Sequence, residues 1–252
     1  MFPNRLSVFI LFGLLAVALT GCLNMPKVKY VEESHHSADA AGLENVDAET
    51  TNGSIAIAGT EIDEVIVDAR KEIQAYSDEE AQEFARKVEI IVERSGNEVR
   101  IYKQHPKPPR GVQVSVSFDI QASRGVDVAL KSTNGRVRVD HTEGQVHAVT
   151  TNGSIEIHGR TLENDLQTTN GRILVDGADA SVTAKTTNGS IDVRGGKGNV
   201  EAITTNGRIE LGDVVGRVHA KTTNGSIHAG IAQLEESGEF SSSNGSIDVR
   251  VE

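Results

Sequence analysis

The sequence predicts an all-β chain, a β-solenoid of 18-residue coils of the right-handed β-helix kind, with a small helix-containing insertion near its N-terminus. Three observations predict it. The phrase T-T-N-G-[S/R]-I-x-V returns with asparagines Asn134, Asn152, Asn170, Asn188, Asn206 and Asn224, each 18 residues after the last, then Asn244 after 20, and an eighth copy stands at Asn52. Around each asparagine the apolar positions change parity. Counting from the asparagine, −6 and −4 are apolar before it (Val146 and Ala148 before Asn152) and +3 and +5 after it (Ile155 and Ile157), so two period-2 strands meet at each Asn-Gly. Asn164 and Gly238 interrupt the −6 column. Third, equal coil lengths set like residues above one another at about 4.8 Å, where asparagines can bond coil to coil.

Asn-Gly between alternating strands is also the strongest short hairpin signal, so a meander of hairpins is the competing architecture. A meander has no need of constant spacing, which favours the stacked coil. In that reading Asn134, Asn152, Asn170, Asn188, Asn206, Asn224 and Asn244 point inward as a structural ladder, and the following glycine supplies positive φ at the corner.

Taken in order, residues 1–21 are expected to be a signal peptide, with Arg5 ahead of the apolar run Leu6–Leu19, which is too short to span a bilayer. The run ends Leu19-Thr20-Gly21-Cys22, which resembles a bacterial lipobox and implies lipidation of Cys22, the chain's one cysteine. Leu23 in place of Asp implies, by the same resemblance, the outer membrane in an organism with two membranes. Residues 22–42 show no periodicity and read as a lipidated tether, in which His35 and His36 are solvated.

Residues 43–252 form the solenoid domain. Val46–Gly59 is a first coil, and the insertion, 60–125, breaks the pattern. Within it Glu64–Ala69 is expected as a strand and Ser77–Lys87 as a helix capped by Ser77, with Arg86 and Lys87 in its last turn. Val88–Val92 and Glu98–Tyr102 flank Ser95-Gly96-Asn97 as a hairpin, and a proline loop precedes the strand Val112–Ile120. An open solenoid end exposes strand edges, so the insertion is expected to act as a cap. Regular coils fill 126–252.

The V-x-A-x-T-T-N-G-S-I-x-I coil at Val46–Ile57, the helix-bearing excursion, the strand ending Phe118-Asp119-Ile120 and the repeated T-N-G coils resemble the bacterial putative-adhesin domain family of β-strand repeats, over most of 41–252. The resemblance implies a β-helical, extracytoplasmic, non-enzymatic domain and brings no catalytic residues with it.

The charge balance, −11 from 25 Lys and Arg against 36 Asp and Glu, argues against nucleic acid or anionic headgroups as partners. For catalysis the best candidate is column +4, where Asp192 and Glu210 lie on adjacent coils and Glu156 two coils below Asp192, a spacing like that of paired carboxylates in glycosidases. They are expected to be solvated, since no Trp occurs and Phe240 is the one aromatic after Phe118. His147 and His219 lie four coils apart and cannot share a metal; His141 and His158 fall near adjacent loops. No phosphate-binding or nucleophile motif appears. No catalytic residue, metal ligand or cofactor is assigned.

Two outward columns stand out. Column −1 is Thr133, Thr151, Thr169, Thr187, Thr205 and Thr223, a row of hydroxyls suited either to a repetitive surface or simply to strand packing. Column +2 alternates Arg136, Ser154, Arg172, Ser190, Arg208 and Ser226, which sets Arg near the acids of column +4. The expectation is a non-enzymatic envelope lipoprotein, held to the membrane by its anchor, whose rod binds glycan or an envelope protein or acts as a scaffold. The alternatives are a polysaccharide-active β-helix enzyme and an envelope-stress sensor binding a membrane partner.

Overall fold

A computed structural model describes residues 27–252. The expected signal peptide and Cys22 lie outside the described residues. The chain begins with β1 (Val28–Asp39), followed by β2 (Asn45–Asn52), β3 (Ile55–Thr60) and β4 (Glu64–Ala75). Helix α1 (Asp78–Ala85), β5 (Glu89–Ser95), β6 (Glu98–Gln104) and β7 (Gln113–Ser123) complete the N-terminal part. The coils then run through β8 (Asp127–Asn134), β9 (Val137–Asp140), β10 (Val146–Asn152), β11 (Ile155–His158), β12 (Asn164–Asn170), β13 (Ile173–Ala178), β14 (Val182–Asn188), β15 (Ile191–Gly195) and β16 (Lys197–Asn206). The last three strands are β17 (Ile209–Asn224), β18 (Ile227–Asn244) and β19 (Ile247–Val251).

The fold is a β-solenoid of about seven turns. Strands preceding the asparagines stack in parallel as β6, β2, β8, β10, β12, β14, β16 and the second halves of β17 and β18. Strands following them stack in parallel as β7, β3, β9, β11, β13, β15, the first halves of β17 and β18, and β19. Parallel neighbours rule out the meander, whose hairpins would be antiparallel. Register is in phase at every corner, where Asn134 pairs with Asn52 on one side and Asn152 on the other, and it shifts only away from the corners, between Asp176 and Ala178 and between Leu211 and Val218. The four apolar columns meet between the two stacks, where Val46, Ile55, Ala148, Ile155, Ala184 and Ile191 are fully buried. A one-residue slip would turn each of these columns out to solvent, so the pattern itself specifies the register.

The insertion closes the N-terminal end. Strand β6 lies parallel on β2 and β7 parallel on β3, so together they continue the stack as one more coil. Then direction reverses: β5 pairs antiparallel with β6, β4 with β7, and β1 with β4. Phe84, Ala81 and Ala85 of α1 are buried in the same core, and Ser77 caps the helix by accepting from the Glu80 N–H at 3.2 Å. The helix ends at Ala85, so Arg86 and Lys87 follow it rather than occupy its last turn.

One segment differs from expectation. Residues 28–39, read as tether, form a twelve-residue strand paired along its whole length with β4. Its polar sequence hides the period because its face toward the core is only half-buried: Tyr30 and Ala38 pack on the core. Salt bridges add to the pairing, Lys29 to Glu72 at 2.6 Å and Glu32 to Lys71 at 2.7 Å. His35, expected in a linker, bonds Asp68 at 2.8 Å.

Candidate functional site

Each T-T-N-G corner is a small polar lattice. The asparagine amides form an unbroken ladder: every Nδ2 donates to the Oδ1 one coil earlier, at 2.8 Å from Asn134 to Asn224 and 2.9 Å at Asn244. Asn52 ends it by donating to the Val114 carbonyl. The ladder sits outside the core, with the asparagines from Asn134 onward exposed, which corrects the inward orientation expected of them. The inward polar group is the preceding threonine at −2. Thr150, Thr168, Thr186, Thr204 and Thr222 are buried, and each hydroxyl donates to a glycine carbonyl of the coil below at 3.0–3.2 Å. A buried hydroxyl needs such a partner, and the coil below always supplies one.

The corner glycine is required by proximity. A Cβ on Gly171 or Gly189 would come within 1.8 Å of the glycine oxygen below it, and these two glycines do not adopt positive φ. The backbone thus approaches its own copy too closely for any side chain. Positive φ, expected at every corner, occurs at Gly53 alone.

The outward threonines Thr133, Thr151, Thr169, Thr187, Thr205 and Thr223 are all exposed, as is Thr51 in the first coil. Parallel pairing sets them about 4.8 Å apart.

Column +4 differs from the solvated row expected. Asp192 and Glu210 are register partners on β15 and β17, but Asp192 is 4% exposed. Arg172 of the coil below bonds it at 2.7 Å and Arg194 lies 3.6 Å away. Burial without an aromatic cleft arises because Arg side chains from both sides cover the carboxylate. Glu210 is bonded by Arg208 at 2.9 Å, and that hydrogen bond holds its carboxyl below the usual range. Glu156 is 3.4 Å from Arg136. A retaining glycosidase needs one carboxyl raised to act as acid, and both Asp192 and Glu210 are instead tied to guanidinium groups.

Among the described residues no group of three or more His, Cys, Asp or Glu side chains is placed to hold a metal ion, and no helix is long and apolar enough to cross a membrane. His147 pairs with Asp165 and His219 with Glu239, each at 3.1 Å.

A feature that no sequence motif marks lies where β6 leaves the stack. The chain from Lys103 to Val112 bulges outward where regular coils turn at Asn-Gly, and two clefts open beside it, of about 340 and 530 Å³. Thr51, Lys103 and His105 line both. Burial lowers the Lys103 ammonium to about 8.

No protein-family model matches this chain, and no curated protein sequence does. Solved structures do. One is a putative adhesin from Bacteroides fragilis, 13% identical with a TM-score of 0.43, covering 87% of this chain and 97% of that one. Another is a putative adhesin from Parabacteroides merdae, at 12% and 0.42, covering 87% and 96%. A third is a putative cell adhesion protein from Clostridium sporogenes, at 11% and 0.36, covering 88% and 100%. All three are named for adhesion.

Proposed function

We propose that this chain is an extracytoplasmic, lipid-anchored binding module that performs no chemistry and carries a repetitive polymer, a glycan, along its outward threonine row. The observation that carries the reading is that row: from Thr51 to Thr223 the hydroxyls are exposed, in register, and make no hydrogen bond among the described residues. Their inward neighbours at −2 are committed to backbone carbonyls, Thr50 to that of Val116 and those from Ser132 to Thr222 to glycines, so the outward set is what the repeat leaves available. Thr has two rigidly staggered groups at Cβ, so a stacked row presents hydroxyls with little conformational freedom left to lose on binding. The strapped carboxylates of column +4 weigh against the polysaccharide-active enzyme, and the lipobox-like Leu19-Thr20-Gly21-Cys22 supports the anchor.

One assay with two arms tests this. Wild-type protein is expected to partition into detergent and to retain at least one of a panel of immobilised envelope polysaccharides. Thr169→Lys with Thr187→Lys is expected to abolish retention while keeping partition, and Cys22→Ser to abolish partition. Retention unaffected by the double substitution rejects the row, and detergent partition of Cys22→Ser rejects the anchor.

A further inference from the structure

The expanded corner at Lys103 breaks three rules that the rest of the molecule keeps. The first is the identity of the inward column. Strand β6 pairs with β2 as far as Glu49 and Tyr102, and by its parity with the buried Val99 and Ile101 the next inward residue is Lys103. In the coils that place belongs to a hydroxyl, from Thr50 to Ser242. A cation thus stands where a small neutral donor is the norm.

The second is charge pairing. Salt bridges tie most Lys and Arg side chains of the described residues to a carboxylate, yet Lys103 has none. The nearby acids are already taken. Glu72 of β4 is held by Lys29 of β1 at 2.6 Å and by Gln74 at 3.1 Å, and the Lys29 hydrogen bond keeps its carboxyl below the usual range. Glu49 of β2 is bonded by Lys131 at 3.1 Å, and Asp47 lies 3.8 Å from Arg100. His105 turns Nδ1 to the Pro106 carbonyl. From Val99 to Phe118 the chain holds no acidic residue at all, in a protein of net charge −11.

The third is space. Regular corners are closed by glycine stacking on glycine, whereas here a cleft of about 530 Å³ opens, walled by Pro108, Val112 and Val114 with amides from Gln74 and Gln113 beside Lys103. Glu72 also lines the cleft, but Lys29 and Gln74 hold its carboxylate, which leaves Lys103 as the cleft's one lysine, without a salt bridge. That arrangement matches a monoanion carried on a polar ring; a dianionic phosphate would call for two or more cations or a fork of Arg donors. Thr51, the first hydroxyl of the outward row, lines the same cleft.

We propose that this cleft binds the carboxylate of an acidic sugar through Lys103, and so fixes one end of the polymer that the threonine row carries. This inference rests on the glycan reading above. Partial burial disfavours the ammonium in the empty cleft, and an arriving carboxylate reverses that by supplying the missing counter-charge. Binding is therefore strongest where Lys103 is protonated and weakens as pH rises above its midpoint.

The test follows the amine of Lys103 in the full-length protein in detergent micelles, by competitive acetylation and mass spectrometry across neutral to alkaline pH, with the exposed Lys221 as internal reference. Without ligand the Lys103 midpoint is expected near about 8. Glucuronate should raise it by roughly one unit or more, and glucose should leave it in place. No shift with glucuronate overturns the proposal. So does a shift produced by inorganic phosphate or by anionic lipid in the micelle but not by glucuronate, which would make the cleft a phosphate or headgroup site. The protein with Thr169→Lys and Thr187→Lys keeps the glucuronate shift if the cleft binds on its own, so failure of the row and failure of the cleft are read separately. Because the titration uses the wild-type amine, it does not depend on whether Lys103→Gln folds.

Discussion

The regular corner and the expanded corner occupy the same place in the stack and solve opposite problems. At Asn188-Gly189 the chain turns in the least space a backbone allows: the amide bonds to Asn170 and Asn206, the hydroxyl of Thr186 reaches the Gly171 carbonyl, and the Gly189 N–H reaches the Asn206 carbonyl. Nothing foreign can enter. At Lys103 the chain detours through Pro106, Pro108 and Pro109 before rejoining the stack at Val114, and the corner becomes a cleft. The difference teaches that the T-T-N-G phrase is a device for closure, and that binding chemistry is to be sought where the phrase is missing or on the side chains it turns outward.

The comparison can be broken at the glycine, where the largest effect is expected. Gly189→Ala places a methyl 1.8 Å from the Gly171 oxygen, a clash with backbone on both coils that no rotamer relieves. We expect a loss of about 3 kcal/mol or more in denaturant unfolding, and a cost under about 1 kcal/mol would show that the corner is not tightly stacked. The two adjacent threonines sharpen the contrast. Thr186→Val leaves the Gly171 carbonyl without its hydroxyl and should cost about 1–2 kcal/mol, whereas Thr187→Val should stay within about 0.5 kcal/mol. Equal effects at the two sites would contradict the assignment of one inward and one outward. Among the bonded groups of the corner, the smallest effect belongs to the exposed ladder. Asn188→Gly keeps backbone freedom and removes one amide, and a loss of about 1 kcal/mol is expected; a melt indistinguishable from wild type would mean that the amide ladder contributes nothing net.

Much of the fold was legible because its code is redundant: the +3, +5, −4 and −6 columns each state the register independently, and Asn134 to Asn244 state the period. The inward threonine was legible too, since −2 has the same parity as −4, but two identical letters in T-T disguise opposite environments. The orientation of Asn188 is hidden because one residue type kept down a column suits a buried amide and a solvent-facing amide ladder equally well. Asn164 shows the converse. It breaks the apolar −6 column yet is buried in line with it, donating to Thr161 at 2.8 Å. Strand β1 was hidden because a strand laid on the edge of a cap needs little apolar surface. Lys103 was invisible for a different reason: its meaning depends on β6 stacking over β2, a pairing across 53 residues that no local pattern announces.

That same pairing scheme has a consequence for how the chain must close on itself. Within the regular array each asparagine meets a partner 18 residues away, but Asn134 meets Asn52 across 82. By loop-closure entropy the longer circuit costs roughly 1.3 kcal/mol more than the shorter one, about two doublings of contour length. The insertion that fills the circuit shortens it again, because β6 and β7 stack directly on β2 and β3 and bring residue 123 back beside residue 60. The excursion is thus folded into the axis of the rod, and the ladder bond across it has the same 2.8 Å length as its neighbours.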